Sequence, residues 1–319
     1  MAPSPAPRPS PRLADLPPPP QGRRGWPWDV ETAPVPSDGG SPLISVVTPS
    51  FNQAEFVEAT IRSVLLQGYP RLEYRVVDGG STDGTREVIE KYAPWLAGWS
   101  SSKDSGPAQA INRGFALATG DVVSWLNSDD RLLPGTLQAV AKSVTGHPEA
   151  VAWVGACRSV DARGKALYVN APHGLSLPDL ADWMGSAWFA QPASFYRRGA
   201  LQQAGPLDER LQSSFDVDLF IRLARLGPIV GTDAIWAEET IHPAARTSAA
   251  PGRSFAELRI VQVRQGFEDL ALRRLTEELQ ELAAYRRIRF VDWIRRAFTS
   301  AVLGRRWTGG RSATVPKVK

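Results

Sequence analysis

Cysteine is nearly missing from this chain: Cys157 is the only one in 319 residues. That excludes an internal disulfide framework and any zinc site built on several thiolates, and it leaves the thiol as a small core side chain. Long apolar runs are missing as well. No stretch approaches the roughly 18 uninterrupted apolar residues of a spanning helix, and the N-terminal region carries no apolar segment of the secretory type. A cytoplasmic protein is the resulting expectation. Internal repeats are absent, and no glycine-rich loop with a basic residue follows the first predicted strand, which counts against nucleotidyl transfer on such a loop.

What is present is a globular composition with 43% hydrophobic residues, enough for one large domain or two ordinary ones. The net charge of +4 averages over unlike segments. From Ala283 to Lys319 ten Lys or Arg face one acid, Asp292, whereas residues 1–42 are balanced, so the stretch between them is acidic. The basicity belongs to the tail and is no sign of a nucleic-acid partner. Residues 1–42 also hold 13 of the 27 prolines. Such a composition buries too little to offset backbone ordering, which predicts a disordered or polyproline-like arm with Trp26 and Trp28 as its only anchors.

From Leu43 onward, strand-like runs alternate with helical periodicity in the manner of a βαβ sheet. Strands are predicted at Leu43–Thr48, Leu72–Val77, Leu96–Ser101 and Val122–Leu126, with helices beginning near Val57, Thr82 and Pro107. After a further strand at Val151–Ala156 the pattern is mixed. Helical order returns at about Phe215–Leu226, and Phe255–Ala284 reads as one long charged helix.

The informative feature is where polar residues fall. Thr48, Pro49, Phe51 and Asn52 end the first strand; Asp78, Gly79, Gly80 and Asp83 the second; Asp104 and Asn112 follow the third; Asn127, Ser128, Asp129 and Asp130 close the fourth. The C-terminal strand ends of an open α/β sheet form its ligand crevice. An aromatic edge such as Phe51 and a carboxylate such as Asp78 suit a nucleobase, which needs a packing face and an acceptor for its imide N–H. The pair Asp129 and Asp130 suits a divalent cation holding a diphosphate. Turn and helix-cap chemistry is the competing explanation for each of these acids taken singly.

Four motifs stand in order: Val-Val-Thr-Pro-Ser-Phe-Asn at 46–52, Val-Asp-Gly-Gly-Ser-Thr-Asp-Gly-Thr at 77–85, Asp-Ser-Gly-Pro-Ala-Gln-Ala-Ile-Asn-Arg-Gly at 104–114, and Asn-Ser-Asp-Asp at 127–130. Through them residues 43 to about 246 resemble a family 2 glycosyltransferase of the GT-A fold, of the bacterial kind that assembles surface polysaccharides. The resemblance implies an α/β GT-A domain over 43–250, with a nucleotide-binding half to 130 and an acceptor half from 131, then a helical basic extension over 251–319. It implies a nucleotide-sugar donor along Thr48, Pro49, Phe51, Asn52, Asp78, Gly80, Asp83, Asp104, Asn112, Asn127 and Ser128. Mg²⁺ or Mn²⁺ would sit at Asp129 and Asp130, with His242 against the metal or the diphosphate. Trp188 and Gln191 would line the acceptor side. Asp216 matches the family's catalytic base, with Asp218 a second acid nearby; near a helix start, however, Asp216 also offsets the helix dipole by ~0.3–1 kcal/mol. The family's Asp-any-Asp metal motif opens here with Asn127, an amide that can bond a ribose hydroxyl but ligates Mg²⁺ poorly.

The expected activity is inverting transfer from a nucleotide-diphosphate sugar, uridine-linked, to a hydroxyl of a glycan or lipid-linked acceptor. A nucleotidyltransferase is one alternative; a non-catalytic sugar-nucleotide or membrane-binding module, made conceivable by Asn127, is another. In the tail, Ile288, Val291, Ile294, Phe298 and Val302 form a stripe flanked by Phe290, Trp293 and several arginines. A basic amphipathic helix of this kind either lies in an anionic membrane interface, peripheral to the cytoplasmic face, or packs its stripe on the domain.

Overall fold

The computed structural model describes residues 10–36, 40–242 and 251–303; the side chains of 251, 287, 288 and 290–303 lie outside that description. The alternating pattern resolves into a mixed sheet of nine strands: β1 (Ile44–Ser50), β2 (Leu72–Asp78), β3 (Gly98–Ser101), β4 (Val122–Trp125), β5 (Arg131–Leu132), β6 (Ala152–Asp161), β7 (Ala166–Asn170), β8 (Ser194–Arg197) and β9 (Ile229–Ile241). Their order is β3-β2-β1-β4-β8-β6-β9-β5, with β7 paired to the side of β6. The first four strands are parallel; β8 runs antiparallel to β4 and β6. Because both faces are covered, β1 and β4 are buried at every position rather than alternating.

Helices α1 (Val57–Leu65), α2 (Thr85–Tyr92) and α3 (Pro107–Leu117) make the crossovers between the parallel strands, and α4 (Thr136–Gly146) follows β5. The acceptor half adds α5 (Leu177–Ala181), α6 (Arg198–Ala204) and α7 (Phe215–Ala224). Two apolar clusters fill the two sides of the sheet. One gathers Ile61, Val64, Ile89, Leu137 and Trp153; the other gathers Ile111, Trp125, Tyr196, Phe220 and Val261.

Three expectations change. Residues 10–36 are ordered along the domain instead of forming a free arm. The buried Arg62 guanidinium on α1 donates to the carbonyls of Pro17 (2.8 Å), Pro27 (3.0 Å) and Trp28 (3.0 Å), and Trp26 Nε1 donates to Leu132 O at 2.8 Å. A proline-rich segment has no core of its own, but its carbonyls are good acceptors, and here a helix supplies the donors.

The single helix expected over Phe255–Ala284 is two, α8 (Pro251–Arg264) and α9 (Glu268–Leu303). Gly266, at φ +82°, ends the first: its amide bonds Val263 O while that of Phe267 reaches back to Gln262 O, a Schellman closure. Finally, the compact unit runs to Phe267, so α8 belongs to it and not to the C-terminal extension. Leu258 and Val261 of α8 are core residues. The second unit, Glu268–Lys319, is represented by α9, whose Leu272, Leu275, Leu279 and Leu282 are exposed. The apolar stripe from Ile288 to Val302 lies outside the described side chains. Among the described residues, no helix is long and apolar enough to cross a membrane.

Candidate active site

The end of β4 is held from behind by α1. Thr60 Oγ1 donates to the carbonyls of Ser128 (2.9 Å) and Asp130 (2.7 Å), Ser63 Oγ accepts from the Leu132 amide at 3.2 Å, and Gln67 bonds Leu133 O and the Leu137 amide. From this braced turn Asp129 and Asp130 point to different places. Asp129 Oδ2 stands 3.1 Å from His242 Nε2, although 113 residues separate them, and the imidazole stacks on Phe56 at 4.8 Å. Asp130 turns inward, accepting from the Thr240 amide (3.2 Å) and Asn127 Nδ2 (3.1 Å). Burial, then the charges of Asp129 and Glu239, push its carboxyl well above the usual range. Asp130, expected at the metal beside Asp129, thus serves the turn. Among the described residues no group of three or more His, Cys, Asp and Glu is arranged to hold a metal. Asp129 and His242 are two groups of the oxygen and nitrogen type that could ligate a divalent cation only with further ligands from outside the protein.

At the ends of β2 and β3 the acids also divide. Asp78 is fully buried, and its oxygens accept from the amides of Gly80 (3.1 Å) and Ser81 (3.0 Å) and from the hydroxyls of Ser101 (2.5 Å) and Ser81. Three of these donors gather on Oδ2 and one, the Ser81 hydroxyl, on Oδ1, so Asp78 shapes the strand end. Asp104 stands beside it on the open side. Its Oδ1 accepts from the Gly106 amide at 3.0 Å, and its Oδ2 lies 2.7 Å from where a Cβ at Gly79 would be. Gly79 follows Asp78 and donates to Ser50 O at 2.8 Å, which places it beside Phe51, a ring 60% exposed.

The neighbours of this edge are structural. Asn52, at φ +52°, accepts from the Thr82 amide. Asp83 binds the Thr85 hydroxyl (2.6 Å) and the amides of Thr85 and Ala54; burial works against its charge, and these bonds hold its carboxyl below the ordinary value. Thr48 is buried against the Tyr74 hydroxyl at 2.9 Å and Pro49 is buried within β1, so both side chains pack in the sheet. Asn112 bonds the Leu207 backbone through both ends of its amide, joining α3 to the segment before α7.

On the acceptor side, Phe215 packs against Trp125 at 6.2 Å and so brings the first turn of α7 to the end of β4. Asp216 follows it, half-buried, with Oδ1 2.8 Å from the Val217 amide. The Tyr196 ring stacks on Trp125 at 5.4 Å; burial and then the Asp216 charge raise its hydroxyl's pKa, which puts that carboxylate within electrostatic reach of the strand end. Gln191 Nε2 donates to Trp125 O at 2.7 Å while its Oε1 accepts from Asn127 at 3.2 Å, tying the acceptor side to the metal turn. Trp188, half-buried, stacks on Trp183 at 5.6 Å. Asp218 is buried in an ion pair with Arg222 (2.8 Å) and a bond from Gln265 (2.8 Å), which leaves it structural. Sequence reasoning missed Thr60 on α1 and Gln67 in the turn after it, whose partners lie about 70 residues away, and Glu257, discussed below.

Parallel β1 to β4 with an antiparallel β8, and polar groups at their C-terminal edge, define a nucleotide-binding transferase fold of the GT-A class. Residues 45–205 match glycosyl transferase family 2, and the chain belongs to that family. It is 34% identical over 174 residues to the uncharacterized glycosyltransferase alr2836 of Nostoc sp., covering 52% of this chain and 54% of that one. It is 31% identical over 197 residues to the O-antigen biosynthesis protein RfbC of Myxococcus xanthus, covering 60% of this chain and 15% of that protein. The chain therefore spans about half or less of these curated relatives. The crystal structure of Staphylococcus aureus TarS 1-349 in complex with UDP-GlcNAc superposes with a TM-score of 0.56 over 68% of this chain and 65% of that one, at 20% identity, a likeness of fold.

Proposed function

We propose that the protein is an inverting glycosyltransferase that moves a sugar from a uridine-diphosphate donor to a hydroxyl of a glycan or lipid-linked acceptor in surface-polysaccharide assembly. The observation that supports this reading is the Asp129–His242 pair after β4, with the Phe215–Trp125 contact bringing the start of α7, on which Asp216 lies, against the same strand. The relative RfbC is named for O-antigen biosynthesis, and the TarS complex holds UDP-GlcNAc; both agree with the class of donor and product.

Phe51 supplies the packing face for the base and Asp104 accepts its imide N–H. Asp129 and His242 would hold Mg²⁺ or Mn²⁺, which as a Lewis acid offsets the charge that builds on the departing diphosphate. Asp216 takes the acceptor's hydroxyl proton as that oxygen forms its bond to the anomeric carbon, on the face opposite the breaking bond to the diphosphate. Proton, sugar and nucleoside diphosphate are then all accounted for without a covalent enzyme intermediate. Trp188 offers an apolar ring face to the acceptor, and the α9 tail is the segment suited to an anionic membrane surface.

Substitution Asp216→Asn tests the base. UDP release from UDP-N-acetylglucosamine, the probe donor, should fall by about 10²-fold or more, while UDP affinity measured by calorimetry stays near that of the parent. Parent-level release by the variant rules the assignment out. Release of N-acetylglucosamine 1-phosphate in place of UDP would point to nucleotidyl transfer.

A further inference from the structure

Glu257 lies on α8, far in sequence from the strand-end motifs, and its buried carboxylate closes over the turn from which α7 starts. Both of its oxygens stand 3.0 Å from the Gln212 amide; Oε2 also accepts from Ser213 (2.8 Å) and Ser214 (3.2 Å), and Arg253 Nε donates to Oε1 at 3.0 Å. Three consecutive amides before a helix are donors without intrahelical partners, and an anion gathering them is favoured by charge-assisted bonding and by the helix dipole. Burial opposes the charge, yet the amides and Arg253 hold the carboxyl below the ordinary glutamate value.

The same helix holds the acceptor side at other points. Ser214 Oγ donates to Ser254 O (3.1 Å), Gln265 reaches Asp218, and Gln262 Nε2 donates to Ala181 O (2.7 Å) at the end of α5. The Gln212 side chain in turn lies against Gly106, whose added Cβ would stand 3.3 Å from Gln212 Oε1, and the Gly106 amide is the one that Asp104 holds.

Core attachment of α8 is already supplied by Leu258 and Val261. Turn amides near a surface can be satisfied by water, whereas a buried carboxylate carries a desolvation penalty. A charge retained at that penalty, aimed at three backbone donors two to four residues ahead of Asp216, acts on position more than on burial.

We propose that Glu257 is the positioning residue for the base: by anchoring the amides of Gln212, Ser213 and Ser214 it sets where α7 begins, and so where the Asp216 carboxylate stands against the end of β4. This rests on the reading of Asp216 as the base. An error of about 1 Å in such a placement is enough to slow a reaction by about 10²-fold.

The test is Glu257→Gln, which keeps shape but replaces one acceptor oxygen with an NH₂ group that faces the amide donors. Three measurements are made on the full chain: amide hydrogen exchange of the 209–217 segment, UDP affinity, and release of UDP from UDP-N-acetylglucosamine with water as acceptor in the presence of Mn²⁺. Exchange in 212–217 should quicken while the β1 and β2 segments stay unchanged. UDP release should fall by about tenfold or more with UDP affinity within about twofold of the parent, because only base placement is disturbed. Unchanged exchange overturns the proposal, as does faster exchange with parent turnover, or a parallel loss of turnover and UDP affinity. Asp216→Asn, assayed alongside, separates the two levels. Parent turnover in that variant removes the base assignment itself, while its inactivity beside a fully active Glu257→Gln removes only the positioning role.

Discussion

At the scale of single residues, neighbouring carboxylates differ in the partners that their oxygens hold. Asp78 and Asp104 stand on neighbouring strand ends, yet the first is enclosed by four donors while the second sits in the space that Gly79 leaves. Uracil presents an N–H at N3 where cytosine presents a lone pair, so a carboxylate here favours UDP over CDP. The parent protein should prefer UDP by about tenfold or more, because CDP leaves the half-buried acceptor facing a lone pair and without its hydrogen bond. Asp104→Asn, whose amide can both donate and accept, should bring the two within about threefold. Titration calorimetry with both nucleotides checks this, and an unaltered preference in the variant would show that another group reads the base. Phe51, Asp129 and Asp216 are nominated by the sequence because each stands in a contiguous motif. The fate of Asp78 is not legible there, since Ser101, one of its donors, arrives from a different strand.

At the scale of elements, the proline-rich segment and α1 form one device. Arg62 is wholly buried, and its donors go to Pro17, Pro27, Trp28 and the Tyr92 hydroxyl. Gly68, at φ +62°, completes the seat, because an added Cβ would lie 2.6 Å from Ala33 O. The opposite side of α1 braces the Asp129 turn, so loosening the segment reaches the site through the helix. Arg62→Met should lower unfolding free energy by about 2–3 kcal/mol, since several charge-assisted bonds vanish and the carbonyls lose their donor. Urea denaturation measures it, with faster amide exchange over 12–32 as the accompanying sign; a loss under about 0.5 kcal/mol would show that the segment contributes little. Composition correctly says that residues 10–36 cannot make a core. It is silent about a donor supplied by a helix thirty-odd residues later.

At the scale of the whole molecule, carboxylates with depressed pKa values govern the response to acid. Hydrogen bonding to Arg210 holds Asp208 down to about 2. In Glu73, Asp83 and Glu257 burial opposes ionisation, but side-chain and amide bonds outweigh it and the values remain below the ordinary range. The unfolded chain takes up protons at the ordinary values, 3.8 for Asp and 4.5 for Glu, before the folded chain does. These groups therefore contribute stability that is fully present above those values and lost as pH falls through the folded ones. The buried Asp130 carboxyl, raised, acts in the opposite sense above its unfolded value of 3.8, so the steady drop of the urea midpoint belongs below about pH 4, and Asp208→Asn should flatten the lowest part of the curve, toward pH 2. A midpoint that rises on acidification below pH 4 would contradict this.

The amino-acid order alone determined the βα alternation, the placing of polar groups at four strand ends, and the family, because each is written in short contiguous motifs and local periodicity. Tertiary structure alone decided which donors each strand-end acid holds, that Asp129 meets His242 across 113 residues, that Glu257 of α8 bonds the amides before α7, and that the proline-rich segment is bound. Those outcomes depend on donors and acceptors paired over long separations, and a carboxylate's role follows from which partners occupy its lone pairs once the chain has folded.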